Sequence, residues 1–114
     1  MLIKQMRRER APLDIREWNE EVKAYVRSLD SFEGLVFNDY IRDFFDKNLG
    51  HEERFAAAFS AAKLALVNEE NEPLLTDDDF EAVRYASFAP LFRMISVVLS
   101  ETAPGEEADT AKKN

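Results

Sequence analysis

The 114-residue sequence contains no cysteine, which excludes disulfides and thiolate metal sites and leads us to expect a reducing cytoplasm as its setting. Glycine is scarce, since only Gly34, Gly50 and Gly105 occur, and this excludes a glycine-rich phosphate-binding loop. Long hydrophobic runs are also missing. Uncharged apolar runs such as residues 55–62 and 94–100 fall far short of the roughly 20 residues that cross a bilayer. We therefore expect a soluble protein with no membrane partner.

Positive charge is scarce outside the first part of the chain. Residues 1–27 hold seven basic and five acidic side chains, whereas residues 28–114 hold eight basic and eighteen acidic ones, for a net charge of −8. Because an acidic body repels phosphate backbones, we expect no nucleic-acid partner. A basic cluster near the N-terminus is either a solvated, flexible terminus or a contact for an acidic partner. Its members are Lys4, Arg7, Arg8 and Arg10.

Residues 13–29 have the pattern of a β-hairpin, in which residues 13–18 and 22–29 are strands joined by a turn at residues 19–21. In the second predicted strand, residues 22–29, the apolar Val22, Ala24 and Val26 alternate with polar or amphipathic residues, which is the period of a strand with one buried face. An isolated two-stranded hairpin is only marginally stable in water. We therefore expect its apolar face to pack on helices that follow in the chain.

About four amphipathic helices are predicted after the hairpin, because apolar residues recur there at spacings of three and four. The first two cover residues 31–47 and 51–67, the second of these being rich in alanine. The predicted N-terminal caps of the helices are Asp30 or Ser31, then Thr76, and then Ser87.

The fold class predicted from these elements is mainly α, of the α+β type, with an N-terminal β-hairpin. We assign residues 1–11 to a flexible basic N-terminus and residues 12–101 to a single helical domain. Residues 102–114 lose the apolar periodicity, and we assign them to a disordered acidic tail.

No convincing catalytic site is present, and we predict that the chain is not an enzyme. His51 is the only histidine and lies at a predicted helix start, where it is expected to be solvated. Asp77, Asp78 and Asp79 could bind Mg²⁺ or Ca²⁺, but the spacing does not match an EF-hand loop. Their capping of a helix N-terminus is the favoured interpretation, so we expect neither a metal nor a cofactor.

Two sets of residues are candidates for contact with other proteins. The acidic stretch of residues 69–81 contains no base, and it is either a solvated face or a docking patch for a basic segment. Its candidate residues are Glu69, Glu70, Glu72, Asp77, Asp78 and Asp79. The chain also has nine phenylalanines, which supply large apolar contacts in a core or at an interface. Those expected to divide between the core and partner or subunit contacts are Phe37, Phe44, Phe55, Phe59 and Phe92.

Two stretches of the sequence resemble the tail assembly chaperones of long-tailed bacteriophages and prophages. Glu17-Trp18, followed by residues 22–29, is similar to the Glu-Trp turn and Val-Tyr-Val-Arg strand of that family. Residues 66–83 are similar to its acidic turn, Pro-Leu-Phe-Thr-Asp segment and acidic helix start, and Ser87 with Leu91-Phe92-Arg93 fits its last helix. The sequence departs from the pattern at Glu70-Asn71, where the family has a glycine-bearing turn.

This resemblance implies a non-catalytic morphogenesis factor. Such a protein would bind the long tape measure protein, and also tail tube protein, in the host cytoplasm and would be absent from the mature virion. The family also implies self-association into a homo-oligomer. From the residues alone, a second hypothesis is a small acidic regulator that inhibits a basic nucleic-acid-binding partner. A third is a divalent-metal enzyme built on residues 77–79.

Overall fold

The computed structural model describes residues 9–102, which begin with a small antiparallel sheet. Strand β1 (Arg10–Leu13) pairs with β2 (Ala24–Arg27), and β2 pairs on its other edge with the two-residue strand β3 (Leu66–Val67). The predicted hairpin is therefore confirmed, and a third strand from a distant part of the chain is added to it.

The prediction of a strand over residues 13–18 was wrong, because β1 ends at Leu13 and the next residues form turns. The Asp14 carboxylate accepts the backbone N–H of Arg16 at 3.0 Å, and the carbonyl of Ile15 accepts the N–H of Trp18 at 2.8 Å. An Asp side chain that bonds the backbone two residues later is a recurrent turn former, and it competes with strand pairing.

Two long helices, α1 (Ser31–Phe45) and α2 (His51–Ala65), follow the hairpin and pack against each other. Asp30 caps α1 by accepting the N–H of Glu33 at 2.8 Å, and the Glu33 carboxylate accepts the N–H of Asp30 at 3.0 Å. Ser31 is instead the first helical residue. The cap thus uses both side chains of a capping box, which fixes where α1 begins.

The second half of the chain turns back toward the sheet and ends in α4. Helix α2 ends at Ala65, two residues before the predicted end, because Leu66 and Val67 enter the sheet as β3. A 3-10 turn (Asp77–Asp79), the short helix α3 (Phe80–Arg84) and the longer helix α4 (Ala89–Thr102) complete the fold.

The core lies around α2, whose alanines let the other elements approach closely. Four of its alanines have no exposed surface: Ala58, Ala61, Ala62 and Ala65. Phe37 and Ile41 of α1, together with Leu91 and Met94 of α4, are also buried in this core. Small side chains on one helix and large ones on its neighbours allow close packing of the two.

Arg27 of β2 joins three elements beside this core. Its guanidinium donates to both carboxylate oxygens of Glu33, each at 3.1 Å, and to the carbonyl of Leu64 at 2.9 Å. One side chain therefore links the sheet to the start of α1 and to the last turn of α2. A planar guanidinium can make all these bonds at once, which a lysine cannot.

The predicted flexible terminus and the predicted tail lie outside the described residues at positions 1–8 and 103–114, while Arg10 and Ala11 belong to β1. Within residues 9–102, no single helix is long and apolar enough to cross a membrane. The pair Asp77–Arg84 and Ala89–Ser100 reaches that length only together, with a bend of 116° between its members.

Candidate interaction surface

The predicted phenylalanine contacts divide into two groups. Phe37 and Phe59 lie in the core with 1% and 2% of their surface exposed. Phe55 is half-buried, and its ring centroid lies 6.3 Å from that of Phe59 and 5.2 Å from that of Phe80. Phe55 and Phe59 therefore serve packing between α2 and α3, while Phe37 packs in the core from α1. Phe44 and Phe92 remain as the contact candidates.

Phe44 and Phe92 belong to a continuous row of four aromatic rings. The ring of Phe44 stacks on that of Phe88, with centroids 5.5 Å apart, and meets that of Phe45 edge-on at 4.9 Å. Phe88 in turn lies 6.1 Å from Phe92. We refer to Phe45, Phe44, Phe88 and Phe92 as the aromatic row. It joins the end of α1 to the start of α4.

The aromatic row is open to solvent. Phe45, Phe88 and Phe92 expose 52%, 38% and 55% of their surface, while Phe44 is half-buried against the core and anchors the row. An exposed, contiguous cluster of large apolar side chains is a recognised mark of a protein-binding site. Aromatic side chains are also enriched among the residues that contribute most to binding.

The α1 end of the row is held in place by α2. The Arg54 side chain donates from Nε to the carbonyl of Phe44 at 2.8 Å, and its guanidinium lies 5.9 Å from the centre of the Phe44 ring. This bond satisfies a carbonyl in the last turn of α1, where no backbone N–H is available. The position of Phe44 is therefore set by tertiary contact as well as by the helix.

The α4 end of the row is held by the loop between β1 and β2. Trp18 donates its indole N–H to the carbonyl of Ser87 at 2.8 Å, and Arg93 forms a paired ion bridge with Glu17 at 2.7 and 2.5 Å. Arg93 also donates to the carbonyl of Asp14 at 2.9 Å. The structure thus brings together Glu17-Trp18 and the Ser87–Arg93 segment, both of which carry the sequence resemblance.

The ion bridge changes the protonation behaviour of both partners. Hydrogen bonding to Arg93 holds the pKa of Glu17 below its usual value, and the same bond raises the pKa of Arg93. Arg84 lowers the pKa of Glu52 in the same way, by a hydrogen bond between α3 and the start of α2. Both carboxylates are therefore ionised at neutral pH, and each links two separate elements of the fold.

The acidic candidates do not form one uniform patch. Asp77 pairs with Lys63, and Glu69 lies 3.8 Å from Lys23. Asp79 accepts the backbone N–H of Thr76 at 2.9 Å, so it closes the turn that begins at the Thr76 cap. The remaining acidic candidates are exposed: Glu70, Glu72 and Asp78. Part of the negative charge of the predicted docking patch is thus already paired with lysines of the same chain.

The turn that carries Glu69, Glu70 and Glu72 forms without a glycine. Asn71 adopts a left-handed backbone conformation with φ of 65°, which asparagine tolerates better than most residues. Arg10 donates to the carbonyls of Asn68 and Glu69 at 3.1 and 2.8 Å. A positively charged strand residue therefore stabilises an acidic turn.

The residues considered for chemistry are dispersed. Among residues 9–102, no group of three or more histidine, aspartate or glutamate side chains is arranged to hold a metal ion. His51 is the first residue of α2 and is exposed. Ser87, the predicted cap of α4, accepts the N–H of Ala89 through its hydroxyl at 3.2 Å.

Sequence reasoning missed several exposed apolar residues. Phe45 and Phe88 complete the aromatic row, and neither was among the phenylalanines predicted to contact a partner. Phe32, Leu35 and Tyr85 are exposed at 74%, 67% and 80%. The sequence did contain a signal for them. Helix α1 has more apolar residues than a single buried face requires, so some of them had to be exposed.

Comparison with known proteins gives one informative likeness. No family model and no curated protein matches the chain. A solved structure described as the bacteriophage HK97 tail assembly chaperone is similar to 97% of this chain and to 91% of its own chain, with a TM-score of 0.53 and 15% sequence identity. The resemblance stated from the sequence is thus confirmed at the level of the fold.

Proposed function

We propose that this chain is a phage tail assembly chaperone, a non-catalytic protein that binds the tape measure protein during tail morphogenesis. The observation that carries the proposal is the aromatic row, exposed on a fold similar to that of the bacteriophage HK97 tail assembly chaperone. The likeness in fold supports this class of function, and the row gives this chain a surface that suits a polypeptide client.

The geometry of the row favours an amphipathic helix as the bound segment. The four rings, which lie at the end of α1 and around the start of α4, contact one another in succession, with centroid distances of 4.9, 5.5 and 6.1 Å. One turn of a helix rises 5.4 Å, so apolar residues one turn apart on a client match the ring spacing. Helices that bury such a stripe in an apolar surface are a common recognition mode.

The remaining surface supports the same function. With a net charge of −8, copies of the chain repel one another at long range and stay soluble while apolar rings are exposed. We propose further that the chain acts as a homo-oligomer in the host cytoplasm, also binds tail tube protein, and is left out of the mature virion.

The test is co-expression with the tape measure protein of the same genome. We expect the wild-type chain to keep that protein in the soluble fraction. The double variant Phe45→Ser/Phe92→Ser should lower the soluble amount by about tenfold, the result of losing two contact residues of roughly 1 kcal/mol or more. Both side chains are at least half exposed, so the fold should tolerate the change.

Val22→Ser is the matched control, because it removes an apolar side chain that is 41% exposed and lies in the β1–β2 loop. It should leave the soluble amount unchanged. Circular dichroism and thermal melting verify that all variants are folded. If the double variant solubilises the client as well as wild type does, the aromatic row is not the client surface.

A further inference from the structure

A pocket of about 220 Å³ lies beside the α4 end of the aromatic row. Its walls come from the loop after β1, from the turn before α3, and from α3 with the residues that follow it. The apolar residues that line it are Trp18, Leu75, Ala82, Val83 and Ala86. We refer to this cavity as the Trp18 pocket. Pockets for drug-sized molecules measure about 300–1,000 Å³, so the Trp18 pocket has the size for a single side chain.

The Trp18 pocket is open because of small residues and is shaped before anything binds. Ala82 and Ala86 are both exposed, and a larger side chain at either position would occupy the cavity. The indole of Trp18 is fixed by the bond from its N–H to the carbonyl of Ser87 at 2.8 Å. A wall that is already ordered loses little conformational freedom when a ligand binds.

The two ionisable residues that line the pocket are both acidic: Glu17 and Asp79. Both carboxylate oxygens of Glu17 are bonded to Arg93. In Asp79, Oδ2 accepts from the backbone N–H of Thr76 at 2.9 Å and from its hydroxyl at 3.4 Å, whereas Oδ1 forms no hydrogen bond within residues 9–102. Asp79 therefore keeps an acceptor that a ligand can use.

We propose that the Trp18 pocket receives an arginine side chain of the segment that binds to the aromatic row. The inference rests on the proposed function, since it adds a basic residue to the description of the client. The aliphatic part of the arginine packs on the apolar walls. Its guanidinium lies against the ring of Trp18 and donates to the carboxylate of Asp79.

Arginine matches this lining better than other side chains do. A wholly apolar side chain would remove water from the Asp79 carboxylate without giving it a partner, which costs free energy. Arginine buries its aliphatic stem along apolar surface while its charged head stays with polar groups. Its planar head also stacks on aromatic rings and donates to carboxylates, which the compact ammonium of lysine does less well.

The Trp18 pocket continues the aromatic row. Ala86 precedes Phe88 by two residues, which span at most about 7 Å. One turn of a client helix rises 5.4 Å, so the turn that follows its apolar stripe can reach the pocket. Residues 77–82 carry four acids and no base, and this local charge favours a client whose basic end lies over the pocket.

The fluorescence of Trp18 tests the inference, because it is the only tryptophan in the chain. The probes are two synthetic amphipathic helical peptides that contain no tryptophan or tyrosine and share one leucine stripe. The turn after the stripe carries arginine in one peptide and citrulline, an uncharged analogue of similar length, in the other. We expect the arginine peptide to bind about fivefold more tightly and to change the Trp18 emission. Equal affinities overturn the inference.

Two pairs of variants place the arginine preference in the pocket. Asp79→Asn and Asp78→Asn remove the same charge at adjacent positions, and asparagine keeps an oxygen for the N–H of Thr76. Asp79→Asn should abolish the preference, whereas Asp78→Asn should keep it, because Asp78 does not line the pocket. Ala82→Leu should abolish it by filling the pocket, and Ala82→Ser should keep it. Equal effects within either pair overturn the inference. Thermal melts verify that each variant is folded.

The double variant Phe45→Ser/Phe92→Ser separates this inference from the proposed function. It should weaken both peptides by the same factor and leave the arginine preference unchanged. An arginine preference in a chain that does not keep the tape measure protein soluble would contradict the proposed function alone. Solubilisation that depends on the aromatic row, with no preference for arginine, would overturn the role of the Trp18 pocket alone.

Discussion

The indole N–H of Trp18 donates to the carbonyl of Ser87 across 69 positions of sequence, at 2.8 Å. This bond joins the loop after β1 to the start of α4, and the ion bridge of Glu17 with Arg93 lies beside it. The Glu-Trp pair therefore has a structural role, since it holds the segment that carries Phe88 and Phe92. A short sequence motif without chemical function thereby positions the proposed client surface.

Trp18→Phe should lower the free energy of unfolding by about 0.5–1.5 kcal/mol, because it removes this hydrogen bond and keeps most of the aromatic packing. Urea denaturation followed by circular dichroism measures the change, since Trp18 is the only tryptophan available as a fluorescence probe. Trp18→Ala should cost more, as the half-buried ring is lost too. Equal stability of Trp18→Phe and wild type would show that the bond contributes nothing.

Acid should remove the contribution of the Glu17–Arg93 bridge. Because Arg93 lowers the pKa of folded Glu17, the stabilisation is complete above the unfolded pKa of about 4.3 and is lost as the pH falls through the lower folded value. The stability difference between wild type and Glu17→Gln should therefore be constant near neutrality and shrink below about pH 4. Urea titrations across this range measure it.

The background variant Arg93→Met provides the control for this pH dependence. Without the guanidinium, the largest cause of the lowered Glu17 pKa is removed, and the hydrogen bond to the backbone of Glu17 itself remains. Glu17→Gln in that background should then show a smaller change of its effect with pH. A pH dependence as large as in the wild-type background would mean that Arg93 does not stabilise the carboxylate.

Arg27→Met should be strongly destabilising compared with the same change at Arg42. The side chains of Arg27 and Glu33 are only 23% and 22% exposed, whereas those of Arg42 and Asp39 are 73% and 65% exposed. Losing Arg27 removes two hydrogen bonds from the partly buried Glu33 carboxylate and one from the carbonyl of Leu64, at a cost of about 1–3 kcal/mol. The exposed pair should contribute less than about 0.5 kcal/mol. Similar losses would contradict this comparison.

Asp79→Ala should cost about 0.5–2 kcal/mol, because the Asp79 carboxylate accepts the N–H of Thr76 in the turn before α3. Asp78→Ala is the control at an exposed neighbouring carboxylate and should change stability by less than about 0.5 kcal/mol. Calorimetry with Mg²⁺ and Ca²⁺ at millimolar concentration should give no binding heat. A saturable heat that Asp78→Ala abolishes would instead restore the metal-site hypothesis.

Much of the helical structure could be predicted because its signals are local. The apolar spacing and the Asp30 cap set the start of α1, and Gly50 with Glu53 sets that of α2, where the Gly50 N–H donates to the Glu53 carboxylate at 2.9 Å. Caps and periodicity involve residues within about one turn of one another, so they are visible in the sequence.

The sequence by itself determined the helical class, the hairpin and the absence of cysteine chemistry. Only the tertiary structure decided that Leu66 and Val67 leave the helix to pair with Val26 and Tyr25, since their apolar character suits either element. It also decided which phenylalanines are exposed. Burial depends on which distant surfaces meet, and the stacking of Phe44 on Phe88 arises from packing between helices that no local pattern encodes.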